Sequence, residues 1–129
     1  MVGCKHTDVL DNATLDNVVM SIDDNGRGIR ITGAEFKTGN ETIVIQFNGD
    51  ISANLTKIDT GIYSLRFQTP FVKAPTMGVS QANLTDYKNN QVHISELTER
   101  GCIITASAYV GATWVVSDSV DFYIEPLGV

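Results

Sequence analysis

Apolar and polar side chains alternate along most of this chain, and that period of two constrains the fold more than any other feature of the sequence. Tyr63, Leu65 and Phe67 fall on one side of the alternation, while Ser64 and Arg66 fall on the other. Successive side chains of a β-strand point to opposite faces of a sheet, so each such segment buries one face and exposes the other. The alternation therefore predicts strands of antiparallel sheets rather than helices.

Two later segments continue the pattern. The longest predicts a row of five inward-facing side chains, namely Cys102, Ile104, Ala106, Ala108 and Val110. The residues between them, including Tyr109, are expected to face outward. A shorter inward row near the end of the chain is formed by Val120, Phe122 and Ile124, which places Asp121 on the opposite, outer face.

Two Asn-Gly pairs separate strand-like segments. Asn48-Gly49 lies between residues 42–47 and residues 50–55, and Asn25-Gly26 predicts a second hairpin within residues 18–32. Asn-Gly satisfies the positive φ angles of tight two-residue turns, so each pair predicts a β-hairpin.

Composition supports the same fold class. The β-branched residues Val, Ile and Thr number 38, whereas Ala and Leu number 15. Branched side chains pack well on a pleated sheet and lose rotamer freedom in a helix. We therefore predict an all-β protein, an antiparallel β-sandwich of about eight or nine short strands with a jelly-roll or related arrangement. Residues 13–129 form its single domain, and residues 1–12 form an N-terminal arm or attachment segment.

Charge and hydropathy limit the partners. The chain carries 9 Lys and Arg against 15 Asp and Glu, a formal net charge of −6. Nucleic acids and anionic membrane surfaces attract clustered cations, so neither is an expected partner. The longest nearly apolar stretch, residues 106–116, is far shorter than the roughly 20 residues that span a bilayer, so we expect no membrane insertion. The N-terminal residues lack the pattern of a secretory signal peptide.

Metal-ligating residue types are present without a diagnostic spacing. Cys4, His6, His93 and Cys102 make no CxxC or HxxxH pair, so the sequence predicts no zinc site. Residues 21–26 resemble the start of a calcium loop, but a threonine stands where the closing glutamate is required. We expect a solvated hairpin turn there and no metal or other cofactor.

Catalytic motifs are also missing. The sequence has no GxSxG elbow, no HExxH pair and no glycine-rich phosphate loop. His6 and His93 are the candidate imidazole bases, and Asp118 with Asp121 is a conceivable acid and base pair. Because the alternation places Asp121 on an outer face, simple solvation is the preferred interpretation. The sequence predicts no catalytic residue and no enzyme.

Aromatic side chains are the best candidates for ligand contact. We predict that Tyr87, Tyr109 and Trp114 face outward, where rings with a polar group can stack on sugars or anchor an interface. A lone tryptophan in a small β-domain also fits a core or subunit-interface position, and the sequence leaves both alternatives open for Trp114.

Residues 61–128 carry a more particular pattern. It comprises Gly61-Ile62-Tyr63-Ser64-Leu65-Arg66-Phe67, then Pro70-Phe71 and Ala74-Pro75-Thr76-Met77-Gly78-Val79, and finally Asp121-Phe122-Tyr123-Ile124-Glu125-Pro126-Leu127-Gly128. This segment resembles the H-type-lectin-like β-sandwich found at the C-terminal ends of bacteriophage tail fibres and in related virion proteins. Its motifs are hydrophobic patterns, so the resemblance assigns no sugar-contacting residue.

The resemblance implies a non-enzymatic viral structural protein, made in the host cytoplasm and located in the virion. Such domains are usually homotrimers that contact other virion proteins or a host-surface glycan. Since only residues 1–12 lie outside the predicted sandwich, capsid decoration or a tail-fibre tip fits better than a complete fibre. A free-standing carbohydrate-binding, lectin-like module is the alternative, and a small hydrolase is a third hypothesis.

Overall fold

The computed structural model describes residues 19–22, 29–36, 42–47, 51–81 and 89–127. These residues form ten strands and one short 3₁₀ helix, Gly33–Glu35. In chain order the strands are β1 Val19–Ile22, β2 Ile29–Ile31, β3 Thr42–Phe47, β4 Ile51–Asp59, β5 Ile62–Phe67, β6 Thr76–Gln81, β7 Asn90–Thr98, β8 Gly101–Val110, β9 Thr113–Val116 and β10 Phe122–Leu127. The predicted all-β class is confirmed, with one or two strands more than the sequence indicated.

The strands form two antiparallel sheets that pack together as a sandwich. The smaller sheet has the order β1-β2-β10-β6, and the larger has the order β3-β4-β5-β8-β7. Strand β9 also pairs with β8, on the same edge as β5, because β7 occupies the other edge at Ser107 and Ala108, the residues that also pair with β9. The finer jelly-roll or H-type-lectin-like arrangement stays a prediction.

The core lies between the sheets and follows the alternation. Ile31, Leu55, Tyr63, Ile104 and Phe122 are fully buried. The predicted inward rows of β5 and β10 are confirmed, since every member of both is buried. Burial of these apolar side chains is the main force that holds the two sheets together.

Both predicted hairpins are present. β3 pairs with β4, and β1 pairs with β2, each antiparallel. The two Asn-Gly turns themselves lie outside the described residues, as do the predicted N-terminal arm and Tyr87. In the described part of the chain, no helix is long and apolar enough to span a bilayer.

The predicted inward row of β8 is right at its start and wrong at its end. Cys102, Ile104 and Ala106 are buried, but Val110 is 60% exposed. Alternation fixes which face of a sheet a side chain occupies, but burial also requires a second layer over that face. Among the residues that the structure describes, no such layer covers the end of the β8–β9 hairpin.

The turn between β8 and β9 contains an unfavourable residue. Gly111 has φ +59° and Ala112 has φ +68°, and Val110 pairs with Thr113 across them. Positive φ at both central positions is the type I′ hairpin turn, which favours glycine or asparagine. Alanine pays a steric cost in that conformation because its Cβ crowds the backbone.

Replacing Ala112 by glycine should therefore stabilise the protein by about 0.5–1 kcal/mol, since the steric cost disappears while some unfolded-state entropy is added. Ala112→Val is the matched control and should destabilise it, because a β-branched side chain is worse at positive φ. Urea unfolding measures both. Equal stability of the two variants would contradict the assigned turn.

Candidate functional site

A lysine lies in the core row of β4. Lys57 continues the inward row of Ala53 and Leu55, and its side chain is only 1% exposed. The Lys57 Nζ donates to the carbonyl oxygens of Gly33 at 2.9 Å and Phe36 at 2.7 Å. It also lies 2.7 Å from Asp118 Oδ1. An ammonium group has three donors, so these three acceptors satisfy it completely. The contacts of Lys57 therefore give it a structural role.

Asp118 joins the lysine to the base of the β8–β9 hairpin. Its Oδ1 also accepts a hydrogen bond from the Gly61 N–H at 2.8 Å. One residue earlier, the Ser117 N–H donates to the Ala106 carbonyl at 3.0 Å. The segment that follows β9 is thus fixed to β4, to β8 and to the turn before β5.

Asp121 is a partner in this network, so the predicted simple solvation of its side chain is wrong. Its side chain is 15% exposed, Oδ2 lies 3.2 Å from Arg30 Nη2, and Oδ1 accepts from the Gly33 N–H at 3.1 Å. Alternation assigns a face but does not show whether a side chain on that face has a partner. Arg30 lies between the buried Ile29 and Ile31 and so also falls on an outer face. Its charge and the Gly33 N–H hold the Asp121 carboxylate and shield it from solvent.

The Tyr63 hydroxyl lies near the charges of Asp118 and Asp121. We call the group formed by Lys57, Asp118, Asp121, Arg30, Gly33 and Tyr63 the Lys57 cluster. The Tyr63 ring packs 5.0 Å from Phe122 and 5.8 Å from Phe36, measured between centroids. Burial raises the pKa of Tyr63 well above its usual range, and the negative charges of Asp118 and Asp121 raise it further. The hydroxyl stays protonated at neutral pH. Tyr63 is therefore not an ionised nucleophile.

Gly33 is required where the 3₁₀ helix meets the cluster. A Cβ at this position would lie 2.7 Å from the Asp118 carbonyl oxygen and 2.8 Å from that of Val120. Two backbone atoms cannot both move aside, so only glycine allows so close an approach. This approach brings the Gly33 carbonyl within reach of Lys57.

The end of the β8–β9 hairpin is apolar and exposed, whereas the residues around Lys57 are charged and largely buried. Five large apolar side chains there are 38–60% exposed, and we call them the hairpin surface: Tyr109, Val110, Trp114, Val115 and Val116. No charged residue occurs between positions 101 and 116. Cross-strand pairing places Tyr109 and Trp114 on the outer face of the sheet, and alternation places Val110 and Val115 on the core-side face. The hairpin surface is therefore apolar on both faces.

The structure brings together two of the three predicted ligand-contacting residues. The rings of Tyr109 and Trp114 lie 5.2 Å apart at 61°, an edge-to-face pair that exposes 45% and 44% of the two residues. Trp114 is thus a surface residue and not a core residue. An apolar ring pair with one hydroxyl and one indole N–H suits either a protein partner or a sugar.

Other candidate residues stand alone. His93 is exposed on β7, and no group of three or more metal-ligating side chains occurs within the described ranges. Cys102 is a free thiol in the core, where burial raises its pKa to about 11. A thiol with so high a pKa is protonated and a poor nucleophile at neutral pH. Cys4, His6 and most of the calcium-like loop lie outside the described residues.

An open depression of about 460 Å³ lies where β4 and β5 meet the loop after β5, lined by residues 51–52 and 68–71. Two of its polar side chains, those of Ser52 and Gln68, already have partners. The Ser52 hydroxyl donates to Gln46 Oε1 at 2.8 Å, and Gln68 Nε2 donates to Asn54 Oδ1 at 3.1 Å. The depression therefore presents no convergent set of free polar groups.

The sequence matches no protein-family model, and neither the curated proteins nor the solved structures gave a match.

Sequence reasoning missed the Lys57 cluster, although a signal for it was present. The predicted strand ended at residue 55, yet Lys57 has the same parity as Ala53 and Leu55 and so falls on the buried face. A charged residue in a core row must find partners, and nearby acidic residues and free carbonyls are the groups to search for.

Lys57→Met should lower the free energy of unfolding by about 2–3 kcal/mol, because Asp118 and two carbonyl groups lose their shared partner. The loss is smaller than for a fully buried pair, since the Asp118 side chain is 36% exposed and can be hydrated. Lys73→Met, at an exposed lysine, is the control and should change stability little. Denaturant unfolding that gives equal values for the two variants would refute the structural role of Lys57.

The free energy of unfolding should fall at alkaline pH because the Cys102 thiol is buried. The folded pKa of Cys102 is raised from 9.0 to about 11 by burial, so the unfolded state ionises first and stability falls as pH rises from about 9 through 11. Cys102→Ala removes this contribution while leaving that of Tyr63. Between pH 8.5 and 11, the variant should lose less stability than the parent protein. Identical pH profiles would show that Cys102 is not buried as described.

Proposed function

We propose that this protein is a non-enzymatic structural module of a bacteriophage particle, a capsid decoration or tail-fibre tip that works by protein assembly through the hairpin surface. The observation that carries the proposal is an exposed, uncharged hairpin with apolar side chains on both faces. The resemblance of residues 61–128 to virion β-sandwiches supplies the setting. The trimer that this resemblance implies stays a prediction.

The size of the hairpin surface supports an assembly function. Exposed fractions of 38–60% on one tryptophan, one tyrosine and three valines amount to roughly 400–500 Å² of apolar surface, as large as the patches that mark interaction sites. A standard interface buries about 800 Å² per partner, of which somewhat more than half is apolar. The hairpin surface could supply most of that apolar part.

The chemistry of the described residues also favours assembly over catalysis. The buried ionisable groups Lys57, Asp121 and Arg30 are engaged with one another or with backbone groups. The Tyr63 hydroxyl and the Cys102 thiol are kept neutral by burial. A general base or an activated nucleophile needs the opposite environment.

A carbohydrate-binding module is the second candidate, favoured by the exposed Tyr109–Trp114 pair. Aromatic rings stack on the apolar faces of sugars, and the outer face of the same sheet also carries polar side chains, among them Ser64, Gln91 and Thr105. This candidate uses the outer face only. Assembly uses both faces of the hairpin, so variants on the two faces separate the candidates.

Location in the particle tests the proposed function. In gradient-purified particles from cells that express the chain with the rest of its virus, we expect the protein at a fixed copy number by quantitative mass spectrometry. Antibody labelling should mark the particle surface. Recovery of the chain only in the soluble lysate would refute the proposed structural function.

A glycan array separates the second candidate from the first. A sugar-binding module should lose its array signal on Trp114→Ala, retain part of it on Trp114→Phe, and keep all of it on Val110→Thr, which changes only the core-side face. The assembly function predicts no array signal for the parent protein. A strong signal that Trp114→Ala abolishes would favour the carbohydrate-binding module.

A further inference from the structure

We propose that β9 is a self-pairing edge: two copies of this chain join antiparallel, β9 against β9, into one continuous sheet across a two-fold axis. The inference rests on the proposed assembly function and deepens it by naming the partner and the atoms that meet. It gives a dimer where the family resemblance implies a trimer, so the two predictions differ in mass.

The outer edge of β9 has backbone groups available for pairing. Within the residues the structure describes, β9 pairs only with β8. The Ser117 N–H points at the Ala106 carbonyl on β8, and backbone groups of successive residues point to opposite edges of a strand. The N–H and C=O groups of Trp114 and Val116 therefore face away from β8.

This arrangement selects one register for self-pairing. If Val115 lies opposite Val115 of the second copy, then Trp114 lies opposite Val116 of the second copy, and the reverse holds by symmetry. Trp114 and Val116 are the residues with outward-facing backbone groups, so both pairs are of the hydrogen-bonded type. Together they exchange four backbone hydrogen bonds.

In that register, apolar side chains of one copy lie beside apolar side chains of the other on both faces of the joined sheet. On the outer face, each Trp114 packs beside a valine of the second copy and extends the ring pair with Tyr109. On the core-side face, the two Val115 side chains meet at the axis, near Val110 of each copy. Pairing thus brings the apolar side chains of β9 into contact with those of the second copy along both faces.

Charge also favours contact at this strand. Each copy has a net charge of −6, so two copies repel one another. The uncharged residues 101–116 form the segment where that repulsion is weakest, and salt should therefore strengthen the dimer or leave it unchanged. A heterologous acidic or basic partner would find no complementary charge on this hairpin.

Another edge of the same sheet shows the protection that β9 lacks. β7 contains Glu96 at φ +51°, and its pairing with β8 is irregular between Ser95 and Thr98. Charges and bulges of this kind block pairing with another chain. β9 has neither a charge nor a proline, and all four of its residues are exposed.

The mass of the protein in solution, followed by sedimentation from low to high micromolar concentration, tests the proposal. We expect twice the 14.0 kDa chain mass at high concentration, reversible on dilution, with no weakening in 1 M salt. The sole tryptophan, Trp114, should show a blue shift in fluorescence over the same range, because pairing places a valine of the second copy beside its ring and reduces the contact of the ring with water.

Val115→Lys places two like charges opposite each other at the axis and should weaken the dimer at least tenfold. Val72→Lys, at a fully exposed valine after β5, makes the same charge change away from β9 and should leave the dimer intact. Val116→Pro removes one outward donor per copy while keeping the bonds to β8, and it should also weaken the dimer.

Unfolding measurements show whether each variant keeps the parent stability at concentrations where the parent is monomeric. A trimer would overturn β9 pairing and leave the proposed assembly function standing. A monomer at every concentration, or an equal response to Val115→Lys and Val72→Lys, would also overturn it. In those cases the proposed function is still tested independently, by the search for the protein in purified virus particles.

Discussion

The buried ammonium of Lys57 is the interaction on which the rest of the structure depends. A charge in the core is tolerated only with a full set of acceptors, and Lys57 takes them from two separate segments, the 3₁₀ turn and the chain after β9. Both segments are thereby fixed to β4. Asp118 then holds the Gly61 N–H as well, so one carboxylate sets the position of the hairpin base.

The hairpin surface follows from this fixed base. The alternation that builds the core continues along β8 beyond the cover of the smaller sheet, so Val110 has the parity of a core residue and the exposure of a surface residue. β9 adds apolar side chains on both faces, and its outer edge pairs with no other strand of the described residues. A rigid base presenting an uncovered apolar end loses little conformational entropy on binding, which favours assembly.

Much of the fold could be predicted from the sequence because period-two alternation and Asn-Gly turns are local signals. The buried rows of β5 and β10 illustrate this. Alternation could not show that Asp121 is shielded from solvent, since tertiary pairing with Arg30 determines its environment. The turn at Gly111 and Ala112 carries little local signal, because alanine does not favour positive φ. At the candidate site, alternation predicted Tyr109 outward but left Trp114 open, since exposure depends on which segments the opposite sheet covers.

Residue-resolved amide hydrogen exchange along β9 tests the central claim most directly. The claim is that the Lys57 cluster fixes the base of the β8–β9 hairpin and that the outer edge of β9 pairs with a second copy. The account predicts that the amides of Trp114 and Val116 exchange slowly at high protein concentration and rapidly on dilution. The Val115 amide, bonded to β8, should stay protected at both concentrations. Unprotected exchange of Trp114 and Val116 at every concentration would contradict the account.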